Sequence, residues 1–396
     1  MYISRWITAM QIKIKFTVVA VLLSYGAFAQ DAAFARKMLD TLTSRTFWGR
    51  GYTKNGVQKA AAFLAGELKN DGVKPMDGKS YYQNFSYPVN TFPGKMDVAI
   101  NGVQLVPGKD FIVSEDSKGV NASGELQKRD SVTFVDAKDR IIIKLENKLT
   151  WSAEGKVTDF TLIKIDKKAL KAEPTSVTAN IENVLVNDFK TANICGMVKG
   201  TSKPDSIIVF TAHYDHLGGM GDKTYFPGAN DNASGCTQVL SLAKYYAAHP
   251  QPYTIAFIFF SGEEAGLLGS KYFTEHPLIS LKNIRFLINL DLEGTGVDGI
   301  TVVNATVYPR EFELLKSINA KHNYLPKINS RGKAANSDHY LFFDKGVPAI
   351  FWYTQGGISA YHDVFDVAAT LPMDHYEGIF HMILNFTDAL QGKPVE

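Results

Sequence analysis

Residues 207–216 read Ile-Ile-Val-Phe-Thr-Ala-His-Tyr-Asp-His. Six uncharged residues, enough for a strand and too few for a helix, run straight into His213, Asp215 and His216. A strand covered on both faces needs such a run, because successive side chains point to opposite sides of the sheet. The pattern recurs downstream. Thr254–Ser261 leads into Gly262-Glu263-Glu264, Ile284–Leu290 into Asp291, and Val347–Thr354 into a loop holding Tyr361-His362-Asp363. Between these runs Ser234–Ala248, Glu264–His276 and Arg310–Asn323 carry apolar residues at helical spacing, and Asp374–Leu390 closes the series. Doubly buried strands alternating with helices predict an α/β fold with a mostly parallel central sheet flanked by helices. Ligands of open α/β sheets gather at the carboxyl ends of the strands, which is where the polar residues fall.

Upstream the texture differs. Ala32–Leu42 and Gly56–Leu68 read as amphipathic helices. From about residue 86 to 189 short strand-like runs (Asp97–Ile100, Phe111–Ser114, Arg140–Leu145, Phe160–Ile165, Val177–Ile181) are separated by charged and Gly-containing turns. The expected organisation is one α/β unit built from residues 30–85 and 190–396, interrupted by a β-rich insertion at 86–189. Residues 1–29 are expected to be a cleaved signal peptide: Lys13 and Lys15 precede an apolar run that ends Ala27-Phe28-Ala29. That run is too short for a membrane span of about 20 residues, so an exported chain without a stable membrane anchor is expected.

The 396 residues hold 42 Lys+Arg against 40 Asp+Glu. That balance gives no concentrated basic charge for nucleic acid, and 45% hydrophobic with 21% charged residues excludes collagen-like, coiled-coil and disordered readings. Cys195 and Cys236 admit either one disulfide or two buried thiols, and a chain of this size does not need the staple. Ser261 lies in Phe-Phe-Ser-Gly-Glu rather than G-x-S-x-G, so no nucleophile elbow is present. Gly218-Gly219-Met220-Gly221 lacks the spacing of a phosphate-binding loop.

Each polar fragment has an ordinary structural explanation of its own: a hydrogen-bonded His, acids at a helix start, Asp231 as a turn former. Together they put His213, Asp231, Glu264, Asp291 and His362 on one sheet edge. These are oxygen and nitrogen donors suited to Zn²⁺. The acids would repel one another unless cations lay between them, and two divalent ions would lower the pKa of a shared water towards ~7. Glu263 remains free to accept its proton.

The set His213-x-Asp215, Gly228-Ala229-Asn230-Asp231-Asn232-x-Ser234-Gly235, Glu263-Glu264, Asp291 and Tyr361-His362 resembles the M28 family of secreted co-catalytic zinc aminopeptidases. Asn336-Ser337-Asp338-His339 and Gly346-Val347-Pro348-Ala349 are similar to that family as well. The likeness covers residues 190–396 and Ala32–Val73, not the β-rich middle. It implies a hydrolase of peptide substrates with two Zn²⁺: His213 and Asp291 on one ion, Glu264 and His362 on the other, Asp231 between them. It further implies Asp215 and Asp338 as supporting residues, Glu263 as general base and Tyr361 as oxyanion stabiliser. His216 and His339 lie close enough to these motifs to support them. Animal-type glutaminyl cyclases and carboxypeptidase-like relatives share the scaffold and give alternative activities. A binding protein on a retained fold would need a broken ligand set, and none is broken here.

Overall fold

The computed structural model describes residues 32–393, so the expected signal peptide lies outside the described residues. A nine-stranded sheet runs Lys74–Pro75, Val184–Val198, Tyr253–Phe260, Lys203–His213, Ile284–Leu290, Ala349–Thr354, Ile300–Val303 and Ile328–Ser330, with Tyr82–Thr91 paired to Val184–Val198. The four strands from Tyr253–Phe260 to Ala349–Thr354 are mutually parallel. Antiparallel pairs flank them on both sides.

The apolar runs make this centre because their two side-chain sets fill two separate cores. Ile208, Phe210, Ala212, Phe257, Phe259, Ile288 and Trp352 face the helices 32–43, Gly56–Asn70, Gly235–Ala248 and Tyr376–Leu390. Ile207, Val209, Ala256, Ile258, Phe260, Leu287 and Ala349 alternate with them and meet Phe273 and Phe342 from two shorter helices. This period-two division is the α/β sandwich that the sequence pattern predicts. Register brings the strand ends level: His213 lies beside Phe260, Thr211 beside Asn289, and Leu290 beside Trp352.

Residues 92–183 form two further sheets. One is Val103–Gln104, Met96–Ile100, Ser176–Ile181 and Val120–Glu125; the other is Phe111–Val113, Thr161–Asp166, Ile141–Glu146, Thr133–Asp136 and Gln127–Lys128. They enclose a third core, which also takes in Leu217, Met220 and Phe226. The chain enters and leaves through Tyr82–Thr91 and Val184–Val198, which pair antiparallel from Tyr82↔Ile194 to Thr91↔Val184. Ile141–Glu146 and Thr161–Asp166 pair in parallel, so a crossover must join them. Residues 147–160 supply it without a helix.

One local reading changes. The helix expected from Glu264 is Leu268–Glu275. Residues 263–267 are turns instead, the Glu263 carbonyl accepting from Gly266 and Leu267 N–H, with Leu267 in the left-handed region (φ 60°). Cys195 and Cys236 are free and buried. Among the described residues no helix is long and apolar enough to cross a membrane.

Candidate metal centre

The strand ends deliver the expected side chains to one cleft. His213 closes its strand, Glu263 and Glu264 follow Phe260, Asp291 follows Leu290, and His362 sits in the loop beyond Thr354. Asp231 comes from the turn Ala229–Ser234, within which its own backbone is extended (φ −107°, ψ 102°). The turn can pass this close because Gly228 is in the left-handed region, and a Cβ there would meet the Asp231 carbonyl and the His216 ring.

Asp231 is divided between two partners. Its Oδ1 lies 3.2 Å from His213 Nε2, and its Oδ2 lies 3.1 Å from His362 Nε2. Asp291 Oδ1 stands 3.4 Å from His213 Nε2, and Glu264 Oε2 3.2 Å from His362 Nε2. The result is two His–carboxylate pairs with one acid shared. Donor atoms of a tetrahedral zinc site with bonds of about 2.0–2.1 Å lie about 3.3 Å apart, so the spacings fit. Ligand-atom sets from His213, Asp231 and Glu264, and from His213, Glu263 and Asp291, lie within 4.8 Å of one another. Asp291 Oδ1 is buried without a hydrogen-bond partner, as an atom facing a cation would be.

The imidazoles are oriented from behind. His213 Nδ1 lies 3.1 Å from the Asp215 carbonyl oxygen and His362 Nδ1 2.8 Å from the Trp151 carbonyl oxygen. A carbonyl only accepts, so each Nδ1 carries the hydrogen and each Nε2 is turned to the carboxylates. Asp215 thus meets His213 through its main chain; its carboxylate is 3.8 Å away and accepts instead from Glu263 N–H at 3.2 Å. His216, fully buried, donates from Nδ1 to Glu264 Oε1 at 2.6 Å. The hydrogen bond to Asp291 Oδ2 comes from Ser337 at 3.0 Å, itself held by Asn289. The neighbours Asp338 and His339 are fully buried, His339 packing beside Phe351.

Without cations the cluster is electrostatically crowded. Burial alone would lower the His213 imidazole, but the Glu263 and Asp291 carboxylates outweigh it and hold it well above its usual value. Burial likewise opposes the charged form of His362, and Glu264 with Asp231 raise it to about 9. Burial pushes Asp215 up to about 7 and raises Glu263 well above the carboxylate range. Asp231, between two imidazoles, is held well below that range despite its burial. Divalent cations would relieve this competition by replacing the shared protons.

Glu263 lies 4.0 Å from His213 Nε2 with its side chain 15% exposed, the least enclosed acid of the group. Tyr361 stacks on His362 with ring centroids 4.1 Å apart and is 44% exposed. A cavity of about 360 Å³ opens over the cluster, and Leu292, Phe351, Tyr353 and Tyr361 give it apolar walls.

Three supports escaped the sequence reading. Asp366 accepts the N–H groups of Asn230 and Asp231 at 2.8 and 3.0 Å. Arg50, fully buried, donates to the carbonyls of Leu42, Tyr214, Pro227, Gly228 and Asp231. Trp151 reaches the site from the segment between residues 92 and 183. Asp366, in the same loop as Tyr361-His362, had a local signal; the other two had none.

Two histidine–carboxylate pairs sharing a third acid, at the carboxyl edge of an α/β sheet, define a candidate metal centre. Residues 193–387 match the model of peptidase family M28, and the chain belongs to that family. Aminopeptidase YwaD of Bacillus subtilis is 28% identical over 249 residues, 62% of this chain and 51% of that protein. The chain spans about half the length of the curated relatives it matches. The fold is similar to the solved structures of a zinc aminopeptidase from B. subtilis (TM-score 0.66, 19% identity, 90% of this chain and 94% of that one) and of a peptidase M28 precursor from Shewanella amazonensis (0.68, 16%, 93% and 95%).

Proposed function

We propose that the chain is an exported aminopeptidase that holds two zinc ions and removes N-terminal residues from peptides. The observation that carries this reading is Asp231, whose two oxygens each face a different His–carboxylate pair, with Glu263 alongside. His213 and Asp291 would hold one ion, Glu264 and His362 the other, and Asp231 both. The catalytic unit is assigned to residues 30–85 and 190–396, around a β-rich insertion at 86–189.

Bound ions supply Lewis acidity that polarises the scissile carbonyl and acidifies water. The protein does the rest. Glu263, whose carboxyl group is raised by burial, takes a proton from the attacking water and returns it to the leaving amine. Burial also raises the Tyr361 phenol, which keeps it protonated and able to donate to the developing oxyanion. Asp215 holds both the His213 ring and the main chain of Glu263, so base and ligand share one anchor. Leu292, Phe351 and Tyr353 give the side chain of the cleaved residue an apolar wall.

The test is zinc content with turnover of aminoacyl anilides and of an N-terminally blocked peptide. The expected result is about two zinc ions per chain, hydrolysis of free N termini only, and activity lost to chelator and restored by zinc. Chelator-insensitive hydrolysis, or no more than one ion per chain, sinks the proposal. Ammonia release from an N-terminal Gln peptide without shortening would favour the cyclase activity instead.

A further inference from the structure

The crossover 147–160 of the β-rich segment lies against the candidate centre. Its main chain exchanges two hydrogen bonds with His362: Trp151 N–H donates to the His362 main-chain carbonyl at 2.9 Å, and the His362 ring Nδ1–H donates to the Trp151 carbonyl at 2.8 Å. His362 needs such a brace. Its φ of 54° lies in the left-handed region, which a non-glycine residue keeps only where its surroundings hold it. Three residues earlier in the crossover, Lys148 donates to the Ser359 carbonyl at 2.8 Å and stands 3.7 Å from the Asp363 carboxylate. Both ends of the 359–363 loop are therefore tied to the crossover. Ser152, next along, lines the cavity over the centre.

Trp151 is in turn fixed by the core of the β-rich segment. Its indole N–H donates to the Val113 carbonyl at 2.8 Å, its ring stacks on Phe226 with centroids 4.8 Å apart, and only 5% of the residue is exposed. The side chain points away from the centre while the main chain faces it. Displacing the indole from Val113 and Phe226 thus moves the carbonyl that sets the ring of His362.

We infer that Trp151 is a positioning residue through which the β-rich insertion completes the centre, setting how tightly the ion held by His362 and Glu264 binds. The inference rests on the two-ion reading above. Metal-ligating histidines depend on the partner of their second ring nitrogen, and loss of such a partner typically weakens metal binding by about 10–100-fold.

The experiment is equilibrium competition for zinc against a fluorescent chelator. The wild-type chain is compared with Trp151→Ala and with Trp151→Phe, which keeps a ring against Phe226 but loses the bond to Val113. Thermal melts of the chelated proteins show whether each variant folds, and visible absorption of the cobalt-loaded forms reports each site's geometry. The expected result is one ion held as in the wild type and a second weakened about 10–100-fold in Trp151→Ala. Trp151→Phe should fall between, and the cobalt bands of only one site should change. If Trp151→Ala does not fold, the graded loss in Trp151→Phe still decides. Natively melting variants that keep both ions at wild-type affinity overturn the inference while leaving the two-ion reading intact. A wild-type chain with a single ion overturns that reading, and with it any second ion for Trp151 to position.

Discussion

Asp231 gives one oxygen to each imidazole, and that division makes protons and cations compete for the same places. His213 and His362 both hold their protons more tightly than a free imidazole in the cation-free chain, His362 to about 9. At pH 7 each must lose a proton before a cation can bind. Zinc affinity is therefore expected to rise with pH until about pH 9, and loading at pH 7 to release protons. Titration calorimetry in two buffers of different ionisation enthalpy would read that release as a difference in heat; equal heats would contradict it. Glu263→Gln is expected to keep the zinc and lose roughly 10²–10⁴-fold in turnover, since only the proton transfer is removed. Full activity in that variant would move the base elsewhere. His213, Glu264, Asp291 and His362 were legible because each ends or follows an apolar run, where a His or an acid is conspicuous, and Asp231 because it sits in the Gly-Ala-Asn-Asp-Asn stretch. Trp151 was not, because it acts through its peptide group, and a main-chain contact leaves no mark on residue type.

At the level of elements, apolar continuity decided what could be read. The central strands are buried on both faces over most of their length, charges fall only near their starting ends (Lys203, Asp205, Arg285), and their ends fall within a few residues of expectation. The paired strands Tyr82–Thr91 and Val184–Val198 lacked that signal. Tyr82–Thr91 alternates exposed and buried residues, and Val184–Val198 opens on a mostly exposed stretch that includes Asp188 and Lys190. Glu263-Glu264 looked like helix-starting acids because composition alone cannot distinguish an acid that caps a dipole from one turned into a cleft. Arg50 links elements that no motif connects. Its guanidinium satisfies five carbonyls from the first helix, the 214 segment and the 227–231 turn. Arg50→Met would leave several of those acceptors buried and unpaired, at about 1–3 kcal/mol each. A loss of at least about 3 kcal/mol in urea unfolding is expected, together with weaker zinc binding. A loss below about 1 kcal/mol would mean that water replaces the guanidinium.

For the whole molecule, the crowded acids make the cation-free chain the less stable form. Zinc at 100 times its dissociation constant should add about 2.7 kcal/mol per independent site, seen as a higher melting temperature that chelator reverses. A melt indifferent to zinc would remove the coupling between centre and fold. The double arm bears on the same question. Thr91 and Val184 are cross-strand partners, so a two-residue turn could close that gap and excise everything between them. The cut is easy for the backbone and costly for what remains. It would uncover Leu217, Met220 and Phe226, which are buried in the third core, and leave His362 without its brace. A shortened chain of this kind would need a polar repair of that patch to stay in solution, and a new hydrogen-bond acceptor behind His362 before it could work.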